Sequence, residues 1–182
     1  LSLHVRRLKL HPSILSLVVP RNKLQMYQSS HTEMRVVNIC KHVRSWRNRL
    51  ISNGLLPKHV VVTMVTERAF EGDQKENPFY FQHFNLGKIN LAVNDRKFPN
   101  VPYTPDFENG LVMRELYAIH QNSGKTSPSR KLNIDEKYFK DGKTLFSFDL
   151  SPDRCNGFHT HIGKNGDLDL EMEWRKPLPK NI

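Results

Sequence analysis

Cys155, His159 and His161 form a C-x3-H-x-H cluster near the end of the chain, and Cys40 with His42 adds a C-x-H pair. Thiolate sulfur and imidazole nitrogen are the donors zinc prefers, and four of them make a tetrahedral site. The spacing is not that of the common zinc motifs, and the two groups lie far apart in sequence. The pattern therefore weighs against a metal site and gives no reason to expect any cofactor. Gly124-Lys125-Thr126 looks like the end of a phosphate-binding loop. That motif needs a glycine five positions earlier, where Ile119 stands, and a helix afterwards, where Pro128 stands. Ser, His and Asp are all present, but none sits in a nucleophile elbow. Asp169 and Glu171 are expected on an exposed strand face, with no neighbour to shift their ionisation. The residues give no positive sign of an enzyme, and a zinc-dependent one is the weakest of three readings.

Arg44, Trp46, Arg47 and Arg49 are the other group with chemistry to offer. Guanidinium groups around one indole can grip phosphates and stack a base. The plainer expectation is a strand or loop whose arginines face water. Charge placement bears on the choice. The chain has 182 residues and a net charge of +10. Residues 1–60 hold eleven Lys and Arg against one acid, Glu33, so they carry the whole excess and the rest balances. A basic N-terminal third suits an anionic partner (nucleic acid, an acidic protein face or a membrane surface) and equally a soluble surface that happens to be basic. Phe79, Tyr80, Phe81 and Phe84 are a third group, four aromatics in six positions. Some should plug the core, and any left exposed would suit a contact between subunits.

The elements that must position these groups are mostly strands. Apolar content is 37% and mean hydropathy is −0.60, low for a globular domain but above that of a disordered chain. No apolar run approaches the roughly 20 residues that cross a bilayer, so no membrane partner is expected. Two cysteines are too few for a disulfide framework, and they leave both pairing and free thiols open.

Asp141–Trp174 organises the chain. In Thr144–Leu150, Phe146, Phe148 and Leu150 alternate with Ser147 and Asp149. In Asp167–Trp174, Leu168, Leu170, Met172 and Trp174 alternate with four acids. Period-2 alternation buries one set and leaves the other in water. Two antiparallel strands in one layer, joined by a long polar loop, are expected, with the other layer of a sandwich supplied elsewhere.

Leu1–Leu10 reads as a strand with a bulge, Ser13–Val19 as a short helix or strand, Arg21–Thr32 as a loop and Glu33–Ile39 as a strand. Asn53-Gly54 signals a turn. Pro57–Thr66, the richest β-branched run, reads as a central strand. Ile89–Val93 alternates and ends at an Asn94-Asp95 turn. Asn100–Asp106, with Pro102 and Pro105, reads as a loop without a ladder. Phe107–His120 is the one good helix, with Leu111, Val112, Leu116 and Ile119 as its stripe and Asn109 as its cap. Gln121–Arg130 is a polar loop, and Ile134–Phe139 a short helical turn. Lys176–Ile182 carries two prolines and stops where a sheet would usually continue, which suggests truncation. About six strands and no βα rhythm predict a mainly β, antiparallel sandwich of jelly-roll type with one helix in a connection. Residues 1–55 form a basic N-terminal segment, in the same domain or left over from a preceding one, and 56–182 the sandwich.

LPKHVVVTMV, NPFYFQHFNLGKINLAVN, YTPDFENGLVMREL, GKTLFSFDLSPD and GDLDLEMEW, taken in order, resemble the capsid-like proteins of Polinton (Maverick) DNA transposons. These are similar to the double jelly-roll major capsid proteins of large DNA viruses. The resemblance covers most of residues 56–174. It implies a structural protein, carries no catalytic residue across, and implies copies of itself as partners, trimers where assembly is competent. The place implied is a virion-like particle, or the cell interior for a subunit that does not assemble. The chain has room for one jelly roll, so it corresponds to the second or to a fragment of it. The leading expectation is thus a self-associating capsid-like subunit of viral or transposon origin, with Phe79, Tyr80, Phe81 and Phe84 as contact residues. The second is a nucleic-acid-binding module using residues 35–49.

Overall fold

The computed structural model describes residues 9, 11–14, 31–123, 132–152 and 162–182. They fall into two units, Leu1–Val36 and Val37–Ile182. In the first, Ile14 N bonds His11 O at 2.9 Å within a helical turn, and Arg35 pairs with Glu33 at 2.9 Å. The strand expected at Leu1–Leu10, most of Ser13–Val19 and most of the loop Arg21–Thr32 lie outside the described residues.

The second unit runs β1 (Ser45–Leu55), β2 (His59–Val62), α1 (Glu67–Phe70), β3 (Leu86–Val93), β4 (Arg96–Tyr103), α2 (Met113–Asn122), α3 (Glu136–Lys140), β5 (Phe146–Asp149) and β6 (Asn165–Trp174). It is mainly β, in two antiparallel sheets ordered β1-β6-β3-β4 and β2-β5. The fold class is the expected sandwich. β1, the end of the basic segment 1–55, belongs to the four-stranded sheet.

β6 is central because its alternation has somewhere to go on both sides. Leu168, Leu170, Met172 and Trp174 are buried and face the layer formed by Phe146 and Phe148 of β5 with Leu116 and Ile119 of α2. Tyr103 of β4 meets Phe148 at a ring separation of 5.2 Å, which joins the two sheets. Phe107, Phe139 and Phe146 continue the aromatic core at 6.0 and 6.1 Å. Asn94 and Asp95, both at positive φ, form the hairpin turn between β3 and β4, as expected.

The single-layer expectation fails. β5 pairs with β2 and β6 with β1 and β3, so the two alternating runs lie in different sheets. Ser147 and Asp149, expected in water, are buried. Asp149 Oδ1 accepts the amide (2.9 Å) and hydroxyl (2.5 Å) of Ser151, so the chain folds back over it. Pro57–Thr66 is not a central strand. Only His59–Val62 is paired, on one side, because Thr66 then caps α1 by accepting from Ala69 N. Asn100–Asp106 is not free of ladder, since β4 runs to Tyr103. Pro102 fits because, among the described residues, β4 is an outer strand with no strand on its far side.

Asn53-Gly54 makes a bulge within β1 rather than a turn, with Asn53 at φ 45°. Glu33–Ile39 forms no strand, although Ile39 exchanges both main-chain bonds with Ile182 at 2.7 and 3.0 Å. The long helix starts at Met113, not Phe107. Asn109 bonds Asp106 instead of capping, and Leu111 is 68% exposed. Gly110 at φ 77° prevents an earlier start. The short turn at 134–139 is α3, capped by Asp135. The tail adds no strand, but Leu178 is buried and bonds Val43 O at 3.0 Å.

Candidate functional site

β1 brings Arg47 and Arg49 to the outward face of the four-stranded sheet, where β6 presents its acids. The register sets Arg47 opposite Glu171 and Arg49 opposite Asp169. Arg47 donates to Asp169 Oδ2 from Nε (3.1 Å) and Nη2 (2.6 Å), and Arg49 Nε donates to Oδ1 (2.9 Å). Arg47 also reaches Glu171 at 3.3 Å, and Arg49 reaches Asp167 at 3.4 Å. The result is a cross-strand ladder of alternating charge. The expectation of an exposed Asp169 with nothing to shift it is wrong: its side chain is 7% exposed. The Arg49 and Arg47 guanidiniums hold its carboxyl below the usual carboxylate range. The arginines do not simply face water either.

This arrangement counts against a phosphate grip. Two of its three guanidiniums already neutralise carboxylates. Trp46 is half-buried, opposite Met172, and packs on the core cluster. Arg44 is exposed just before the strand. The signal that could have found the ladder was present in sequence, as Arg-x-Arg at 47–49 matches Asp-x-Asp-x-Glu at 167–171 once the two runs pair.

Beside the ladder lies a shallow cavity of about 190 Å³, lined by Ser45, Trp46, Arg47, Lys88, Asn90, Glu171, Met172 and Glu173. Asn90 is fully buried and donates to Glu171 Oε2 at 2.9 Å, and its Oδ1 has no hydrogen-bond partner among the described residues.

The aromatic group divides. Phe79 is 76% exposed and Tyr80 is 42% exposed, whereas Phe81 and Phe84 are half-buried. Phe84 packs on the core. Phe81 is held by its main chain, N–H to Gly142 O at 2.9 Å and C=O from Thr144 N at 3.2 Å. Tyr80 is fixed too. Its hydroxyl donates to Asp141, and its ring lies flat against Gly142, where an added Cβ would come within 2.5 Å. Tyr138, 45% exposed on α3, carries Lys143 Nζ 4.4 Å from its ring centre. Tyr80 and Tyr138 thus flank the 141–143 turn, and α3 supplies an aromatic that sequence periodicity had not marked.

Cys155, His159, His161 and Gly124-Lys125-Thr126 lie outside the described residues. Cys40 is exposed, and among the described residues no group of three His, Cys, Asp or Glu could hold a metal ion. Ser151 donates to Asp149, whose Oδ1 lies 3.6 Å from His59 Nδ1. The hydroxyl is therefore engaged by a carboxylate rather than by an imidazole base. Among the described residues, no helix is long and apolar enough to cross a membrane. Comparison with known protein families, curated proteins and solved structures finds no match to this chain.

Proposed function

We propose that the chain is a structural, capsid-like subunit of viral or transposon origin that works by self-association. The observation that carries the reading is the outward presentation of Phe79 next to Tyr80, which is itself held against the 141–143 turn. Exposed aromatics on a fixed support suit burial against another copy. The sequence resemblance over residues 56–174 supplies the class of assembly, with trimers the expected unit. Burying a large apolar side chain yields about 1.5–3 kcal/mol. Removing Phe79 and Tyr80 together should therefore weaken association by a hundredfold or more.

Sedimentation of the full chain over a range of concentrations tests this. Oligomers should grow with concentration and be lost in Phe79→Ser/Tyr80→Ser without loss of folded signal. Added salt should strengthen association by screening the +10 charge. Nucleic-acid binding would respond in the opposite sense. A wild-type chain that stays monomeric at every concentration and salt level overturns the reading.

A further inference from the structure

We propose that β2 pairs antiparallel with β2 of a second copy, about a two-fold axis at Val61, to make a continuous β5-β2-β2-β5 sheet. The proposal rests on the self-association reading and names one contact, which, being two-fold, joins copies of neighbouring trimers rather than copies within one trimer. It starts from which main-chain groups of β2 face outward. Leu150 N donates to Lys58 O at 2.7 Å, so Lys58, Val60 and Val62 are the residues bonded to β5. His59 and Val61 must then turn their N–H and C=O groups to the other side. The Ser147 carbonyl, opposite Val61, agrees. It points away from β2 and accepts Asn122 Nδ2 at 2.9 Å and Tyr103 OH at 3.4 Å.

Exposed sheet edges invite pairing, and this fold blocks the others. β4 carries Pro99 and Pro102 with Arg96 and Lys97. β1 carries two register breaks between Arg49 and Gly54, and the charges of Arg47 and Arg49. The far side of β5 is covered by Asn122 and Tyr103. β2 has no described strand, proline or bulge at its outer side, and Val61 is 58% exposed.

A second copy fits because the run is complementary to itself. Antiparallel pairing sets Val61 against Val61, Val60 against Val62, His59 against Thr63 and Lys58 against Met64. No like charges face one another at neutral pH. The inward row of Val60 and Val62 would extend the layer already packed on Phe146 and Phe148. The edge also runs into the aromatic patch, since Gln82 N donates to Met64 O at 2.9 Å just after Phe79–Phe81.

The test uses the full chain with Cys40→Ser and Cys155→Ser. A short bis-maleimide should capture dimers through Val61→Cys, because paired Cα atoms would lie about 5.5 Å apart. It should not do so through Val101→Cys, which is equally exposed on blocked β4. Val61→Lys, placing two ammonium groups face to face, should weaken association at least tenfold and leave the melting temperature unchanged at concentrations where both chains are monomeric. Association that survives Val61→Lys but is lost in Phe79→Ser/Tyr80→Ser overturns this proposal and leaves the self-association reading standing. A monomeric wild type, together with a Val61→Cys variant that yields no captured dimer, overturns both.

Discussion

Asp169→Asn tests the charge ladder on the sheet face. Three charge-assisted hydrogen bonds converge on this carboxylate, from Arg47 Nε and Nη2 and from Arg49 Nε. The partners differ in exposure: the Asp169 side chain is 7% exposed, the two arginines 54% and 50%. A buried charge left without partners costs roughly 3–5 kcal/mol. Asparagine avoids that cost, because it removes the charge and the two guanidiniums can turn to water. What is lost is the ionic part of the three bonds, reduced by the solvent around the arginines. The expected destabilisation is about 1–2 kcal/mol at pH 7.

The sign with pH follows from the cause. Arg49 and then Arg47 lower the folded carboxyl's pKa below its unfolded value. Such a group adds stability that is fully present above the unfolded pKa and is lost as pH falls through the folded one. The gap between wild type and Asp169→Asn should be full at neutral pH and close below about pH 4. Urea unfolding across that range measures it. A gap of the same size at all pH values, or none at pH 7, refutes the ladder. The double variant Arg47→Ala/Arg49→Ala should cost more than Asp169→Asn, because it leaves the carboxylate as the uncompensated partner.

Two further outcomes are expected. Glu115 on α2 is 3% exposed, and burial raises its carboxyl pKa, so its charged form opposes folding and the cost grows as pH rises through the folded pKa. Glu115→Gln should stabilise by about 1 kcal/mol at pH 7 and by less near pH 4, read by thermal melting. Gly142, at φ 86° and flat against Tyr80, should tolerate no Cβ. Gly142→Ala should cost about 1–2 kcal/mol in urea unfolding and, by tilting Tyr80, weaken self-association more than stability alone explains.

Where local pattern and tertiary position agree, the sequence was readable. Leu168, Leu170, Met172 and Trp174 are inward as their period requires, and Asn94-Asp95 turns the chain as its side chains allow. What period 2 does not carry is the identity of the partner strand. β5 and β6 have the same alternation, so nothing local says that one pairs with β2 and the other with β1 and β3. Asp169 was misplaced for that reason: a carboxylate on an outward position is exposed only if no arginine lies across the next strand. The Val-rich run 60–62 was misplaced too, because β-branched residues favour a half-buried pleat without saying how many neighbours it has. Phe107–His120 was overextended because apolar spacing outweighed the Asn109-Gly110 stop.

The charge asymmetry of the sequence takes a different meaning once β1 is placed. Arg47 and Arg49 belong by sequence to the basic third, but in the fold they face Asp167, Asp169 and Glu171 from the opposite end of the chain. Of the basic third, Lys41 and Arg44, ahead of β1, and Lys58, ahead of β2, are exposed, as are Arg96 and Lys97 on β4. A subunit that packs against its own copies must keep such groups from facing one another across the contact. β2 keeps its one lysine at the end of the contact, where Lys58 faces Met64 rather than a like charge, and the residues His59–Thr63 at its core carry no lysine or arginine. The aromatic patch meets the condition as well: Lys143 lies against the Tyr138 ring, and Asp141 beside Tyr80 supplies the opposite sign. The surfaces with the strongest reason to be covered are thus those where local charge is balanced or where no like charges meet.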